Sequence, residues 1–315
     1  MAKTFAMVFP GQGSQSVGML AELASAFPLV VDTFREASDA LGFDLWHMVQ
    51  NGPDTDLNMT RNTQPAMLAA GVAVWRVWRG QGGAVPAVMA GHSLGEYSAL
   101  VCAGALDFGD AVKLVAERGR LMQEAVPEGS GAMAAILGLD DYRVREVCAQ
   151  AAEDQVCEAV NFNSPGQVVA AGDKAAVERA IALAKGAGAK RALLLPVSVP
   201  SHCALMRPAA ERLAQRLAGT AIVAPGIPVI HNVNVETASD PDQIRALLAA
   251  QLHNPVRWAE TALKVKAEGI SLMVEAGPGK VLSGLAKRID SDLKGLAAFD
   301  SASLEAALKE TSDAE

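Results

Sequence analysis

The chain has 315 residues, of which 50% are hydrophobic and 4% aromatic, a length and composition typical of a tightly packed α/β protein with a large core. Its formal net charge of −8 argues against nucleic-acid binding, and its four cysteines lack the C-x-x-C spacing of a zinc site. The chain starts without a secretion signal and its most apolar run, 66–75, is too short to span a bilayer, so we expect a cytoplasmic protein with no membrane segment and no bound metal.

Strands and helices alternate over the first 127 residues, which implies a mostly parallel sheet. The first strand is predicted to end at the breaker Pro10-Gly11. Pro65 is expected at the first position of a helix, and Asp107 as the N-cap of a later one. The predicted elements are a strand over 4–9, helices over 19–41 and 65–78, a strand over 84–90, and helices over 96–101 and 107–125.

A different pattern occupies residues 128–197. After a linker at 127–131, the order strand, helix, strand, strand, helix, strand is that of a ferredoxin-like unit. These elements are predicted over 132–139, 141–152, 156–161, 167–171, 174–185 and 189–195. The α/β pattern then resumes, with a helix over 204–217, strands near 228–232 and over 271–275, and a surface helix after Asp300. We therefore predict a large α/β domain, residues 1–127 and 198–315, interrupted by a small subdomain, residues 128–197.

Ser93 is the candidate nucleophile. It stands between two glycines in Gly91-His92-Ser93-Leu94-Gly95, after a predicted strand and before a predicted helix. This arrangement is typical of a nucleophile elbow, in which glycines allow a tight bend that lifts the serine hydroxyl above the sheet edge. The following helix points its N-terminus at any oxyanion formed on the attacked carbonyl.

A serine hydroxyl needs a base, and His202 is the candidate. It follows an apolar run and the breaker Pro200-Ser201, in a loop position where α/β active sites are built. His92 adjoins Ser93 on a tight turn, so its side chain should point away from the hydroxyl. The alternative role for His202 is to cap the helix that follows. No carboxylate stands out as its orienting partner, so a backbone carbonyl could complete a Ser-His dyad.

Arg118 lies on the apolar stripe of the predicted helix 107–125, four residues after Leu114 and three before Leu121. An inward-facing guanidinium is costly unless an anion meets it. The sequence leaves two interpretations open. Arg118 either pairs with an internal acid or extends along the edge of the stripe, or it grips a carboxylate of the substrate.

The glycine loop 11–15 lacks both the third glycine of a dinucleotide fingerprint and the Gly-Lys-Ser/Thr ending of a P-loop. The turn after the first strand could instead supply a backbone N–H to an oxyanion, together with the N–H of Leu94.

Several motifs together resemble one family, the malonyl-CoA:acyl carrier protein transacylases of fatty acid synthesis. They run in the family's order over nearly the whole chain. The matching pieces are Phe9-Pro10-Gly11-Gln12-Gly13-Ser14-Gln15, Gly91-His92-Ser93-Leu94-Gly95-Glu96, Arg118, Asn161-Phe162-Asn163-Ser164-Pro165, Ser201-His202 and Gln251 with Pro255-Val256-Arg257-Trp258. The resemblance implies a hydrolase-like α/β domain carrying a ferredoxin-like insert.

The resemblance also implies roles for single residues. Ser93 would be the nucleophile and His202 the general base and acid. The backbone N–H groups of Gln12 and Leu94 would form the oxyanion hole, and Arg118 would hold the malonyl carboxylate. The supporting residues would be Gln251, which orients His202 through its main-chain carbonyl, and Asn161.

The implied reaction is ping-pong transfer of a malonyl group from malonyl-CoA to the phosphopantetheine thiol of acyl carrier protein, with no cofactor. A serine esterase or thioesterase with the same elbow is the alternative enzyme class, and a non-catalytic binding module is a third possibility. Because carrier proteins are acidic, docking needs a local basic patch, for which Lys190, Arg191 and Arg207 are candidates.

Overall fold

A computed structural model describes residues 3–197 and 199–312. The ends of the predicted domain ranges at residues 1–2, 198 and 313–315 lie outside the described residues. The strands are β1 Ala6–Phe9, β2 Val88–Gly91, β3 Gly131–Leu137, β4 Cys157–Ser164, β5 Gln167–Asp173, β6 Arg191–Leu194, β7 Val229–Ile230, β8 Leu272–Ala276 and β9 Lys294–Ala298.

Helices occur both within residues 131–194 and in the rest of the chain. They are α1 Ala21–Ala26, α2 Leu29–Leu41, α3 Leu45–Asn51, α4 Asp54–Leu57, α5 Thr60–Gly80, α6 Gly95–Cys102, α7 Phe108–Glu124, α8 Asp141–Ala152, α9 Lys174–Gly186, α10 Arg207–Ala218, α11 Pro241–Ala250, α12 Trp258–Ala267, α13 Val281–Ile289 and α14 Ser301–Thr311, with short 3-10 turns at Ala204–Met206 and Gln251–His253. No helix among the described residues is both long and apolar enough to cross a membrane.

A parallel sheet organises the larger part of the fold. Its strands are ordered β7-β2-β1-β8-β9, and every neighbouring pair is parallel. The strands β1, β2 and β8 are short runs whose residues are all buried, as expected where helices cover both faces of a parallel sheet. Separate apolar clusters pack on its two faces. The prediction of an α/β fold with a parallel sheet is confirmed.

Residues 131–194 form a second sheet, with antiparallel strands ordered β4-β5-β3-β6. Helices α8 and α9 contribute to an apolar core on one face of this sheet. The strand–helix–strand–strand–helix–strand order and this strand arrangement confirm the ferredoxin-like prediction.

Backbone hydrogen bonds join the second sheet to a loop segment of the larger part. The Phe162 N–H donates to the Val256 carbonyl at 3.0 Å, and the Val256 N–H donates to the Val160 carbonyl at 2.8 Å. Val256, in the family-like Pro255-Val256 motif, thus pairs alongside the edge strand β4 as an isolated parallel bridge.

Some predicted helix boundaries were wrong. The helix predicted over 19–41 is two helices, α1 and α2, because Pro28 cannot continue the first one and serves as N-cap of the second. Helix α5 begins at Thr60, so Pro65 lies inside it rather than at its first position. By contrast, Asp107 caps α7 as predicted, with its side chain accepting from the Asp110 N–H.

Candidate active site

Ser93 lies on a sharp turn between β2 and α6, with a left-handed backbone φ of 51°. The flanking glycines are required by close approach of the main chain. A Cβ on Gly91 would lie 1.9 Å from the Gly95 carbonyl carbon, and one on Gly95 would lie 2.0 Å from the Phe9 oxygen. The turn therefore has the geometry of a nucleophile elbow, with Ser93 at the carboxyl edge of the parallel sheet.

His202 lies against this serine. Its Nε2 is 2.8 Å from Ser93 Oγ, and its Nδ1 is 2.7 Å from the Gln251 main-chain oxygen. Because a carbonyl only accepts, Nδ1 carries the proton and Nε2 is free to accept from the serine hydroxyl. Burial, and next the nearby Arg118 charge, lower the pKa of His202 to about 3, so the imidazole is a neutral base at pH 7.

Arg118 reaches the same point from α7. Its side chain is 1% exposed, with Nη1 donating to Gln64 Oε1 at 2.8 Å and Nη2 to Gln251 Oε1 at 2.9 Å. Nη2 is also 3.3 Å from Ser93 Oγ. The interpretation of an internal ion pair is wrong, since among the described residues no carboxylate forms a salt bridge with this guanidinium. The interpretation of an edge position is wrong because the side chain is buried.

The loop after β1 packs directly on the elbow. A Cβ on Gly11 would lie 2.4 Å from the His92 oxygen, so this position must be a glycine for the two turns to meet. Gln12 and Leu94 both line the cavity in front of Ser93. Neither backbone N–H has a hydrogen-bond acceptor within the part of the chain that the structure describes. Both donors remain available to an oxyanion.

The remaining predicted residues lie in the same region. Asn161 is buried and lines the cavity. His92 points away from Ser93 Oγ, as predicted, because its Nε2 donates to Asn163 Oδ1 at 2.8 Å. Burial lowers the pKa of His92.

Sequence reasoning missed two polar side chains of the site. Gln64 accepts a hydrogen bond from Arg118. The sequence feature that could have identified it is its position as a polar residue directly before the apolar run of α5. Asn232 holds the elbow: its Oδ1 accepts from the Ser93 N–H at 2.7 Å and its Nδ2 donates to the Gly91 oxygen at 2.7 Å. No local pattern pointed to Asn232, because it lies 139 residues from Ser93 in the chain.

The cavity measures about 250 Å³ and is lined by loops and helices of the larger part and by residues of the second sheet. The reactive groups come from the larger part, whereas Met133, Val169, Leu195 and Val197 supply an apolar wall. No cluster of three metal-ligating side chains occurs within residues 3–197 and 199–312.

Comparisons with known proteins agree with this site. A profile of the acyl transferase domain matches residues 6–296. A malonyl CoA-acyl carrier protein transacylase from Haemophilus influenzae is 61% identical over 305 residues, covering 96% of this chain and 98% of that protein. The chain belongs to the malonyl-CoA:acyl carrier protein transacylase family. The resemblance seen in the motifs is thereby confirmed.

Other relatives of this family extend the match. The malonyl CoA-acyl carrier protein transacylase of Bacillus subtilis is 45% identical, with 98% of both chains covered. The structure of the Coxiella burnetii transacylase has a TM-score of 0.98 at 51% identity, with 99% of both chains covered. A malonyl-transacylase in complex with a type II PKS acyl-carrier protein has a TM-score of 0.96 at 58% identity, covering 98% of this chain and 99% of that one.

Proposed function

We propose that the protein transfers a malonyl group from malonyl-CoA to the phosphopantetheine thiol of acyl carrier protein, through a malonyl ester on Ser93. The observation that carries this proposal is the buried Arg118 guanidinium, which has no carboxylate partner among the described residues and lies 3.3 Å from the nucleophile. A guanidinium is well shaped to hold a carboxylate in bidentate fashion. A substrate with a thioester at one end and a carboxylate at the other fits both groups.

In the first half-reaction, Ser93 Oγ attacks the thioester carbonyl while His202 Nε2 takes its proton. The N–H groups of Gln12 and Leu94 stabilise the oxyanion, the C–S bond breaks, and His202 returns the proton to the leaving coenzyme A thiolate. In the second half-reaction, His202 takes the proton of the phosphopantetheine thiol, and the sulfur attacks the ester carbonyl. The ester C–O bond to Ser93 breaks, and His202 returns the proton to Ser93 Oγ, which regenerates the dyad. These residues supply every proton transfer, and we propose that no cofactor takes part.

Two further expectations belong to this proposal. Four free cysteines suit a reducing compartment, which supports a cytoplasmic location. Lys190 and Arg191 are exposed. In the second sheet, Leu137 of β3 lies between Arg191 of β6 and Gln167 of β5, and Gln167 lines the cavity. This closeness to the cavity supports docking of the acidic carrier protein on Lys190 and Arg191, and the exposed Arg207 is the third candidate. Lys190→Glu with Arg191→Glu should raise KM for the carrier protein and leave KM for malonyl-CoA unchanged.

The direct test is incubation of the protein with malonyl-CoA, followed by intact-protein mass spectrometry. Wild-type protein should gain one malonyl group and pass it to purified holo-acyl carrier protein, whereas Ser93→Ala should gain none. An esterase or thioesterase would release coenzyme A rapidly with water alone, and a binding module would show no acylation. Rapid turnover only when the carrier thiol is present supports the transferase.

A further inference from the structure

Glu96 is a buried carboxylate that the reaction above does not use. It is fully buried in the first turn of α6, three residues after Ser93. Oε1 accepts from His231 Nδ1 at 2.7 Å, and Oε2 accepts from the Asn232 N–H at 2.9 Å and from Gln251 Nε2 at 2.8 Å. Each partner donates to a carboxylate oxygen, which is the arrangement an acceptor-only anion requires.

Two of these partners hold reacting groups. The main-chain oxygen of Gln251 orients His202, and its side-chain Oε1 accepts from Arg118. Asn232 holds the Ser93 turn by accepting from the Ser93 N–H and donating to the Gly91 oxygen. A single intervening residue, Gln251 or Asn232, thus connects the Glu96 carboxylate to each of the base, the guanidinium and the nucleophile.

The amide of Gln251 also separates two opposite charges. It accepts from Arg118 with Oε1 and donates to Glu96 with Nε2, and among the described residues Arg118 and Glu96 form no direct salt bridge. A direct salt bridge between Glu96 and Arg118 would use the N–H donors of the guanidinium. With the amide between them, the negative charge compensates the buried cation while Arg118 keeps donors for an incoming carboxylate.

We propose that Glu96 is a positioning residue for acyl transfer, which holds Gln251 and Asn232 and through them fixes the dyad, the elbow and the carboxylate-binding arginine. This inference rests on the proposed function for its kinetic readouts. Its geometric part, the hydrogen bond from His202 to Gln251, is measurable without any substrate.

The first experiment compares Glu96→Ala with the wild type. The substitution removes the acceptor for three buried donors, so we expect the acylation rate with malonyl-CoA to fall about 10²-fold, the effect of a small misplacement of reacting groups. The malonyl-over-acetyl preference should fall as well, because Gln251, which accepts from Arg118, is no longer held by Glu96. In ¹⁵N-histidine-labelled protein, the downfield Nδ1–H resonance of His202, assigned with His202→Ala, should shift or broaden.

Glu96→Gln should rescue this loss. Its amide oxygen can accept from Asn232 and Gln251, and its amide nitrogen can donate to His231 Nδ1. His231 Nε2 has no partner within the described residues, so the histidine proton can move there without breaking a bond. We expect the acylation rate and the His202 resonance near wild type. KM for malonyl-CoA should fall about two- to tenfold, because one negative charge near the substrate carboxylate is gone.

Glu275→Ala is the matched control. Glu275 is also fully buried and accepts from the Val281, Leu282 and Ser283 N–H groups at the start of α13. It should lower Tm as Glu96→Ala does, yet leave the His202 resonance unchanged, because its partners belong to α13 and include neither Gln251 nor Asn232. If Glu96→Ala does not fold, Glu96→Asp, whose shorter side chain cannot reach all three donors, takes its place and should show a smaller loss of the same kind.

Wild-type kinetics and an unchanged His202 resonance in folded Glu96→Ala or Glu96→Asp would overturn the proposal. An equal effect of the Glu96 and Glu275 variants on the resonance would also overturn it, because the role would then be structural only. Failure of the proposed function would look different. Wild-type protein would then form no malonyl adduct, while the effect on the His202 resonance would still report the positioning.

Discussion

The two sheets of this molecule differ in what they bury. In the larger part, buried charged and polar side chains meet at the edge of the parallel sheet: Glu96, Arg118, His202, His231, Asn232 and Gln251. Within residues 131–194, the buried polar side chains are Asn161 and Ser164, and the core beneath β3 and β5 is apolar. The reactive groups thus come from the larger part of the fold, and the second sheet contributes Asn161 and an apolar wall to the cavity.

This difference indicates where the molecule can tolerate amino-acid substitutions. Buried polar groups are costly unless each finds a partner, so the network around Ser93 constrains every residue in it. An apolar core depends mainly on volume, and conservative changes there should lower stability without affecting the reacting groups. Substitutions on the two sides should therefore separate effects on catalysis from effects on stability.

The largest effect should follow His202→Ala, which removes the base that contacts Ser93 Oγ. General acid–base catalysis is worth about 10²–10⁴-fold, so single-turnover acylation should fall by that factor. Tm should change little in comparison. A variant that keeps the wild-type acylation rate would show that another group accepts the serine proton.

Arg118→Ala should have the next largest effect, specific to the substrate. Hydrogen bonds to charged groups contribute about 1.5–3 kcal/mol, so kcat/KM for malonyl-CoA should fall about 10- to 150-fold. Acetyl-CoA has no carboxylate and should be turned over at least as well as by the wild type. Arg118→Lys is the control, since it keeps the charge but loses the bidentate geometry, and should be intermediate. Unchanged selectivity in Arg118→Ala would contradict the assignment.

The pH dependence of acylation should be flatter than that of an ordinary histidine enzyme. Because the pKa of His202 is lowered to about 3, the neutral base persists well below the usual value of 6.5. Single-turnover rates should stay within about twofold from pH 7 to pH 5. A tenfold loss over that range would indicate a base with an ordinary pKa.

The same shift has an opposite consequence for stability. Between pH 6.5 and about 3 the unfolded chain binds a proton at this position that the folded chain does not. His202 therefore contributes to a decrease in the free energy of unfolding as the pH falls through this range. From pH 7.5 to pH 5, the free energy of unfolding from denaturant melts should therefore fall more for the wild type than for His202→Ala.

The smallest effect on the reaction should come from the core of the second sheet. Ile136 is fully buried on β3, and Ile136→Val should cost about 0.5–1.5 kcal/mol of unfolding free energy. We expect kcat and KM for malonyl-CoA to stay at wild-type values. A selective loss of malonyl transfer would break the contrast between the two sheets.

Local patterns in the sequence predicted the fold class, the elbow and the inward arginine. Helix boundaries failed where a single proline decided them: Pro28 separates two helices, and Pro65 is tolerated within one. The resemblance pointed to Gln251, but its side-chain bridge to Arg118 did not follow from any spacing. Gln64 and Asn232 were missed because their roles depend on contacts between distant parts of the chain.

The backbone bonds between β4 and Val256 have a mechanical consequence. They lie five residues beyond Gln251, so the sheet that walls the cavity is tied to the segment that orients the catalytic base. A hinge motion that swung this wall outward would have to break main-chain pairing. The cavity is therefore expected to keep fixed dimensions, so an acyl group is accepted when it fits them. The phosphopantetheine chain that carries the acyl group must enter through the cavity opening.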